Sequence, residues 1–197
     1  MTLQLCDDFE GGFGWTEAGF LERTSHAVEI AGGVLVFDPV DAPGIDERIR
    51  TLGKPEAVVQ LLDRHERDST ALAARLGVPH VHMELGGAGG RGRLIRLVWN
   101  RAWKEVAFWE PERRVLVVAD ALGSVGYFTA PGEAIGVHPL LRLRPPRALA
   151  ELDPEHILCG HGAGVHGPAA SPALQEALAT ARRRLPRALF GALHRTT

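Results

Sequence analysis

Cysteine is scarce in this sequence, long apolar runs are missing, and neither sign of charge dominates. Two cysteines, Cys6 and Cys159, among 197 residues exclude a disulfide scaffold and read as free thiols in a reducing compartment. No segment approaches the roughly 20 apolar residues that a spanning helix needs. The opening MTLQLCDDFEGG is acidic and lacks a basic stretch followed by an apolar one, so it does not read as a secretory signal. A cytoplasmic protein is expected. A net charge of -2 gives no general attraction to nucleic acid or to anionic membranes, which leaves a small molecule as the expected partner. No fixed-period repeat, low-complexity tract or heptad pattern is present, so the oligomeric state is not specified. What the chain does have is ordinary for a folded globular protein: 45% hydrophobic and 23% charged residues. Its length suits one domain over 1–197.

Residues 1–23 are expected to form an irregular lead-in or an edge hairpin. Two β-like runs, 25–30 and 34–37, flank a Gly-containing turn, and Asp38-Pro39 stops the second. A helix is predicted over 43–52 with Gly53 at its end. The stretch 58–79, VVQLLDRHERDSTALAARLGVP, reads as a strand to Leu62, a turn dense in Asp, Arg, His and Glu, and a helix closed by Gly77. Ligands and catalytic groups of α/β proteins collect on such strand-end turns. Further strands are expected over 78–83, 94–99, 105–109, 114–119 and 156–159. A solvated loop is expected over 121–146 that includes the basic pattern from Arg142, and a final helix over 171–184 with Pro186 beyond its end. The order favours α/β or α+β layers.

Gly87, Gly89 and Gly92 match the spacing of a dinucleotide loop, but a β-like segment follows where that mechanism requires a helix. His80 and His82 share a strand face and read as packing or polar surface. Asp120 ends the apolar run 115–119, where a carboxylate serves a site or caps a turn. Asp68 suits a helix cap. His161, flanked by glycines after a short apolar strand, is free for a role other than packing.

The charged turn and helix, the hairpin ending in Val118-Ala119-Asp120-Ala121-Leu122, and Cys159-Gly160-His161-Gly162 together resemble the metallo-β-lactamase superfamily from about Thr24 onward. The resemblance implies an αββα four-layer sandwich of two facing mixed β-sheets with outer helices, and a two-ion, commonly zinc, site at strand ends. It implies that the motif His-x-His-x-Asp-His falls on Arg64, Glu66, Asp68 and Ser69, a later histidine on Arg101, and the last two ligands on Asp120 and His161. Arginine cannot ligate, so the first ion position is expected to be lost. Two readings follow. In one, Arg64 and Arg101 neutralise the carboxylates in place of metal, and Arg64, Glu66, Arg101 and His161 line a site for a small, anionic ligand with no metal bound. In the other, Asp68, Asp120 and His161 hold one divalent ion (zinc, iron or manganese) in a mononuclear hydrolase of esters, thioesters, lactones or amides, with Asp68 also orienting water. His65 falls outside the implied ligand slots.

Overall fold

The computed structural model describes residues 4–82 and 92–193. Period-2 patterning builds its first half. In β4 (Gly33–Phe37), Val34 and Val36 face one side and Leu35 and Phe37 the other, and all four are buried. A strand covered on both faces reads as a continuous apolar run, and β4 is one. It lies within a six-stranded sheet ordered β1-β2-β3-β4-β5-β6, formed with β1 (Gln4–Phe9), β2 (Gly12–Glu17), β3 (Arg23–Ile30), β5 (Pro55–Gln60) and β6 (His80–His82). The first four strands run antiparallel to one another, and β4, β5 and β6 run parallel.

The second sheet is ordered β13-β12-β9-β8-β7, from β7 (Arg93–Trp99), β8 (Lys104–Glu110), β9 (Val115–Val118), β12 (His156–Cys159) and β13 (Val165–His166). Its β9 and β12 are parallel and its other neighbours antiparallel. A separate ribbon pairs β10 (Leu122–Gly123) with β11 (Gly136–Val137).

Three apolar clusters define four layers. Val28, Leu35, Phe37 and Val59 of the first sheet meet Val106, Phe108, Val117 and Leu158 of the second between the sheets. Ile45 and Ile49 of α1 (Ile45–Leu52) and Leu72 of α2 (Ser69–Leu76) cover the outer face of the first sheet over Trp15, Val34 and Val58. Leu174, Ala177 and Ala181 of α3 (Ala170–Leu193) cover the second over Leu116, Val118 and Ile157. The molecule is thus an αββα sandwich of two mixed sheets.

Residues 4–17 form two paired antiparallel strands at a sheet edge. Several expectations need correction. Helix α3 does not stop before Pro186 but continues through it. Ala188, beyond the proline, is fully buried in line with Leu174, Ala177 and Ala181, so the buried stripe continues across a residue that removes a backbone donor. Strand β5 ends at Gln60, two residues before Leu62, which instead makes an isolated bridge to Glu105 of the second sheet. The predicted connection over 86–92 lies, apart from Gly92, outside the described residues, as does Met83 of the predicted strand.

The segment 121–146 is not a solvated loop. Arg142 is 0% exposed and donates to Glu133 Oε2 at 2.5 Å and to the carbonyl of Phe128 at 2.6 Å. Glu133 in turn accepts the backbone N–H of Ala130 at 2.7 Å. Removing Arg142 leaves the buried Glu133 carboxylate with the longer ion pair to Arg184, 3.6 Å away, in place of its short bonds to Arg142. Arg142→Met is expected to lower the unfolding free energy by about 3–5 kcal/mol in urea denaturation. The double variant Arg142→Met with Glu133→Leu should recover part of that loss, because Phe128 O and Ala130 N remain without partners; a loss below about 1 kcal/mol for the single variant would contradict this account.

Candidate functional site

Four strand ends converge at one rim of the sandwich. Asp38 follows β4, the turn 61–68 follows β5, Asp120 follows β9 and His161 follows β12. The two sheets are joined there by backbone contacts: Thr24 N donates to Gly160 O at 2.9 Å, and Val106 N to Leu61 O at 2.9 Å. These bonds hold the side chains above them in register.

Asp120 is the hub. Its Oδ1 lies 3.0 Å from His65 Nε2 and 3.0 Å from His161 Nε2. Its Oδ2 accepts from the Arg64 guanidinium at 2.8 Å. The outer nitrogens of both rings are also committed: His161 Nδ1 lies 2.7 Å from the carbonyl of Leu21, and His65 Nδ1 3.0 Å from Asp38 Oδ2. A carbonyl only accepts, so His161 Nδ1 carries a proton. Its Nε2 then faces Asp120 with a second proton or with a lone pair directed at a shared cation. Asp38 holds His65 in the same relation, and its Oδ1 accepts Leu61 N at 2.8 Å. Arg67, half-buried and at φ 42, donates to the carbonyls of Thr24, Asp38 and Gly160 at 2.6, 2.8 and 3.0 Å.

These contacts set the ionisation of the site. Burial raises the Asp120 pKa, but hydrogen bonds from His161 and His65 outweigh it and hold the carboxyl far below its ordinary range. Burial and the charge of Arg67 lower the pKa of His65, while the carboxylates of Asp120 and Asp38 on its two nitrogens reverse the balance and raise it. Beneath Asp120, the fully buried Glu105 accepts Asp120 N at 2.9 Å, Ala121 N at 2.8 Å and Trp103 Nε1 at 2.8 Å. Burial, and then the charge of Asp120, push its pKa up to about 7.

An aromatic wall stands beside the charges. The Arg64 guanidinium lies 4.5 Å over the Trp103 ring, and Trp103 meets His138 edge-on at 4.8 Å. Phe128 stacks on His161 at 5.5 Å and touches His138 at 5.3 Å. Tyr127 packs on His138 at 5.5 Å, and Phe20, 54% exposed, on Tyr127 at 6.3 Å. Burial lowers the His138 pKa to about 4.

Of the residues singled out from sequence, Asp120, His161 and Arg64 meet here. Asp68 does not join them: its Oδ2 accepts Asp41 N at 2.7 Å, pinning the turn after β4. Glu66 is exposed, and its carbonyl accepts Ser69 N at 2.8 Å. Arg101 is exposed in the turn between β7 and β8, and the residue that reaches the site from that turn is Trp103. His65, passed over in the sequence, is central, and so are Asp38, Arg67 and Glu105. His65 lies between Arg64 and Glu66 in the turn that follows β5 and is the ring of that turn that reaches Asp120. Asp38 carried the same signal as Asp120, a carboxylate ending an apolar strand.

Among the described residues, one group of three potential metal ligands converges: His65, Asp120 and His161, with donor atoms all within 4.8 Å of one another. Two imidazoles and a carboxylate suit a single divalent ion, and outer nitrogens held by Asp38 and Leu21 are what such ligands require. The other oxygen of Asp120 is taken by the Arg64 guanidinium, which cannot ligate a metal.

No family model and no curated protein matches the sequence. Solved structures do. The metallo-β-lactamase FIM-1 from Pseudomonas aeruginosa in its mono-zinc form is 12% identical, with a TM-score of 0.61 over 92% of this chain and 97% of that one. DIM-1 metallo-β-lactamase exposed to ceftazidime is 12% identical, with a TM-score of 0.58 over 92% and 98%. TTHA1623 in a di-iron-bound form is 22% identical, with a TM-score of 0.57 over 81% and 94%. Two facing mixed sheets, outer helices, a charged rim at the strand ends and this near full-length correspondence agree on one architecture: the chain has the metallo-β-lactamase fold.

Proposed function

We propose that the two-ion centre of this fold has degenerated here into an ion-pair network that binds a small anionic molecule. One observation carries the reading: Arg64 satisfies Asp120 Oδ2 with one arm while its side chain remains 44% exposed at the rim. A guanidinium has five N–H donors in a planar fork, so those not engaged by Asp120 suit a carboxylate or phosphate. The rings of Tyr127 and the exposed Phe20 favour a ligand with an apolar or aromatic body behind its anionic group, while Trp103 beneath the Arg64 guanidinium fixes the fork in place. With both Asp120 oxygens already neutralised, the network is self-sufficient. It performs recognition rather than hydrolysis.

The orientation of the two imidazoles favours a second reading. His65, Asp120 and His161, with His65 in the place first given to Asp68, would hold one divalent ion. Such an ion supplies Lewis-acid polarisation of an ester, thioester, lactone or amide carbonyl and a more acidic water. In that case Asp38 and the Leu21 carbonyl orient the ligands, and Arg64 binds a negatively charged portion of the substrate.

Elemental analysis of freshly purified protein separates the two. The first reading expects well under one tenth of an ion per chain; close to one zinc, iron or manganese per chain overturns it. Calorimetric titration with benzoate and with inorganic phosphate tests recognition. Arg64→Met should weaken binding of at least one probe by tenfold or more, and equal affinity in wild type and variant would sink the anion site.

A proton-filled network also has a pH signature. The folded-state pKa of His65 is raised above 6.5, so its stabilisation is complete below that pH and is lost as pH rises through the folded value. That of Asp120 is depressed below 3.8, so its stabilisation holds above 3.8 and is lost only in stronger acid. The stability gap between wild type and His65→Gln should therefore be widest between about pH 4 and 6.5 and shrink toward pH 9. Denaturation midpoints across that range provide the measurement; a gap that widens with pH contradicts proton occupancy.

A further inference from the structure

A second cluster of histidines lies away from the strand-end rim, where β1 of the first sheet meets β13 of the second. His156 and His166 are direct partners in the antiparallel β12–β13 pair. Their Nδ1 atoms lie 3.0 Å apart, and both residues are half-buried. Behind them is Asp7, whose side chain is 1% exposed. Its Oδ1 accepts Gly164 N at 2.7 Å and faces His166 Nε2 at 2.9 Å.

The cradle around Asp7 is close-fitting. A Cβ on Gly164 would stand 2.4 Å from Ile157 O and 3.1 Å from Asp7 Oδ1, and one on Gly14 would stand 2.7 Å from Asp7 Oδ2. The Phe9 ring stacks on His156 at 4.4 Å and fixes its plane. The carboxylate on His166 Nε2 keeps the proton there and leaves Nδ1 with its lone pair facing His156. Between the two Nδ1 atoms there is room for one shared proton or one shared ion.

We propose that His156 and His166 form a binding site for one divalent transition-metal ion of the zinc or copper class, with Asp7 as the carboxylate that orients His166. At metal–nitrogen distances of about 2.0–2.1 Å, two imidazole donors of one ion are separated by about 2.9 Å at a right angle and about 3.3 Å in a tetrahedron. The observed 3.0 Å lies within that interval. Imidazole suits zinc, copper and nickel and disfavours magnesium and calcium. Burial and the neighbouring His166 lower the pKa of His156, so its ring is neutral and available as a ligand near neutral pH. Water completes the coordination, which makes the site weaker than a closed four-ligand zinc site. Its consequence is structural: β13 is only two residues long, and the ion would clasp it to β12 while Asp7 ties the same point to the opposite sheet.

The test is a titration of the metal-free chain with zinc, read by long-range 1H–15N correlation of the imidazoles, which resolves this pair from His65 and His161. The ring signals of His156 and His166 should shift together and saturate at one equivalent, and the thermal midpoint should rise with zinc concentration. His156→Gln, a change at a half-exposed ring, should weaken uptake at least tenfold. Asp7→Asn should weaken it by roughly 10–100-fold. If both rings keep their signals through excess zinc, or if His156→Gln binds as tightly as wild type, the pair shares a proton only and the proposal is wrong.

Discussion

A carboxylate held at the joint of two sheets must be neutralised, and this need organises the rim of the molecule. Asp120 lies at the end of β9, where the sandwich closes, and is 7% exposed. A charge so placed persists only with partners of opposite sign or a bound cation. Each strand end around it answers that need from a different part of the chain: Arg64 and His65 after β5, and His161 after β12. A further set holds the partners themselves, with Asp38 on His65, the Leu21 carbonyl on His161, and Glu105 on the backbone N–H groups of Asp120 and Ala121. Glu105 cannot be exchanged for glutamine without cost. One oxygen could still accept the two backbone donors, but the amide nitrogen would face the Trp103 N–H.

The four-layer packing makes this precision possible. Both sheets are covered on both faces, so the strands cannot slip by one residue without exchanging their buried sets. Parallel pairs β4–β5 and β9–β12 bring four carboxyl ends to one rim, and backbone bonds such as Thr24 to Gly160 stitch the sheets directly beneath the charged groups. Arg67 adds to that stitching, with one guanidinium accepted by carbonyls of three segments.

The architecture was legible because burial on two faces leaves a strong trace. The run Val115 to Ala119 and the alternating β4 announce covered strands, and Asp120 and His161 stand at the ends of such runs. The turn after β5 was harder. Apolar residues Leu61 and Leu62 continue the hydrophobic run but lie beyond β5, so a reading by hydropathy extends the strand too far. His65 was passed over because the resemblance gave it no ligand slot. Trp103 was missed for a different reason: its contact with Arg64 joins residues 39 positions apart, and no local pattern encodes such a pairing. Arg142 shows the same limit, since a buried arginine differs from a solvated one only by Glu133 and the Phe128 carbonyl folded around it.

Two histidine pairs, His65 with His161 and His156 with His166, obey one rule with opposite outcomes. At the rim, His65 and His161 spend Nδ1 on outer acceptors, so both Nε2 atoms converge on the carboxylate they must neutralise. At the β1–β13 edge, His166 spends Nε2 on Asp7, so the two Nδ1 atoms converge on each other with no carboxylate between them. The first arrangement is complete without an ion when hydrogen bonds from the rings and the Arg64 guanidinium satisfy the one carboxylate. The second gains nothing from a second proton, which would set like charges 3.0 Å apart, and a neutral pair of imidazoles sharing one proton presents the donors that a soft divalent ion requires. Which nitrogen each ring commits to its backing acceptor therefore decides whether a histidine pair in this fold serves as a counter-charge or as a ligand set.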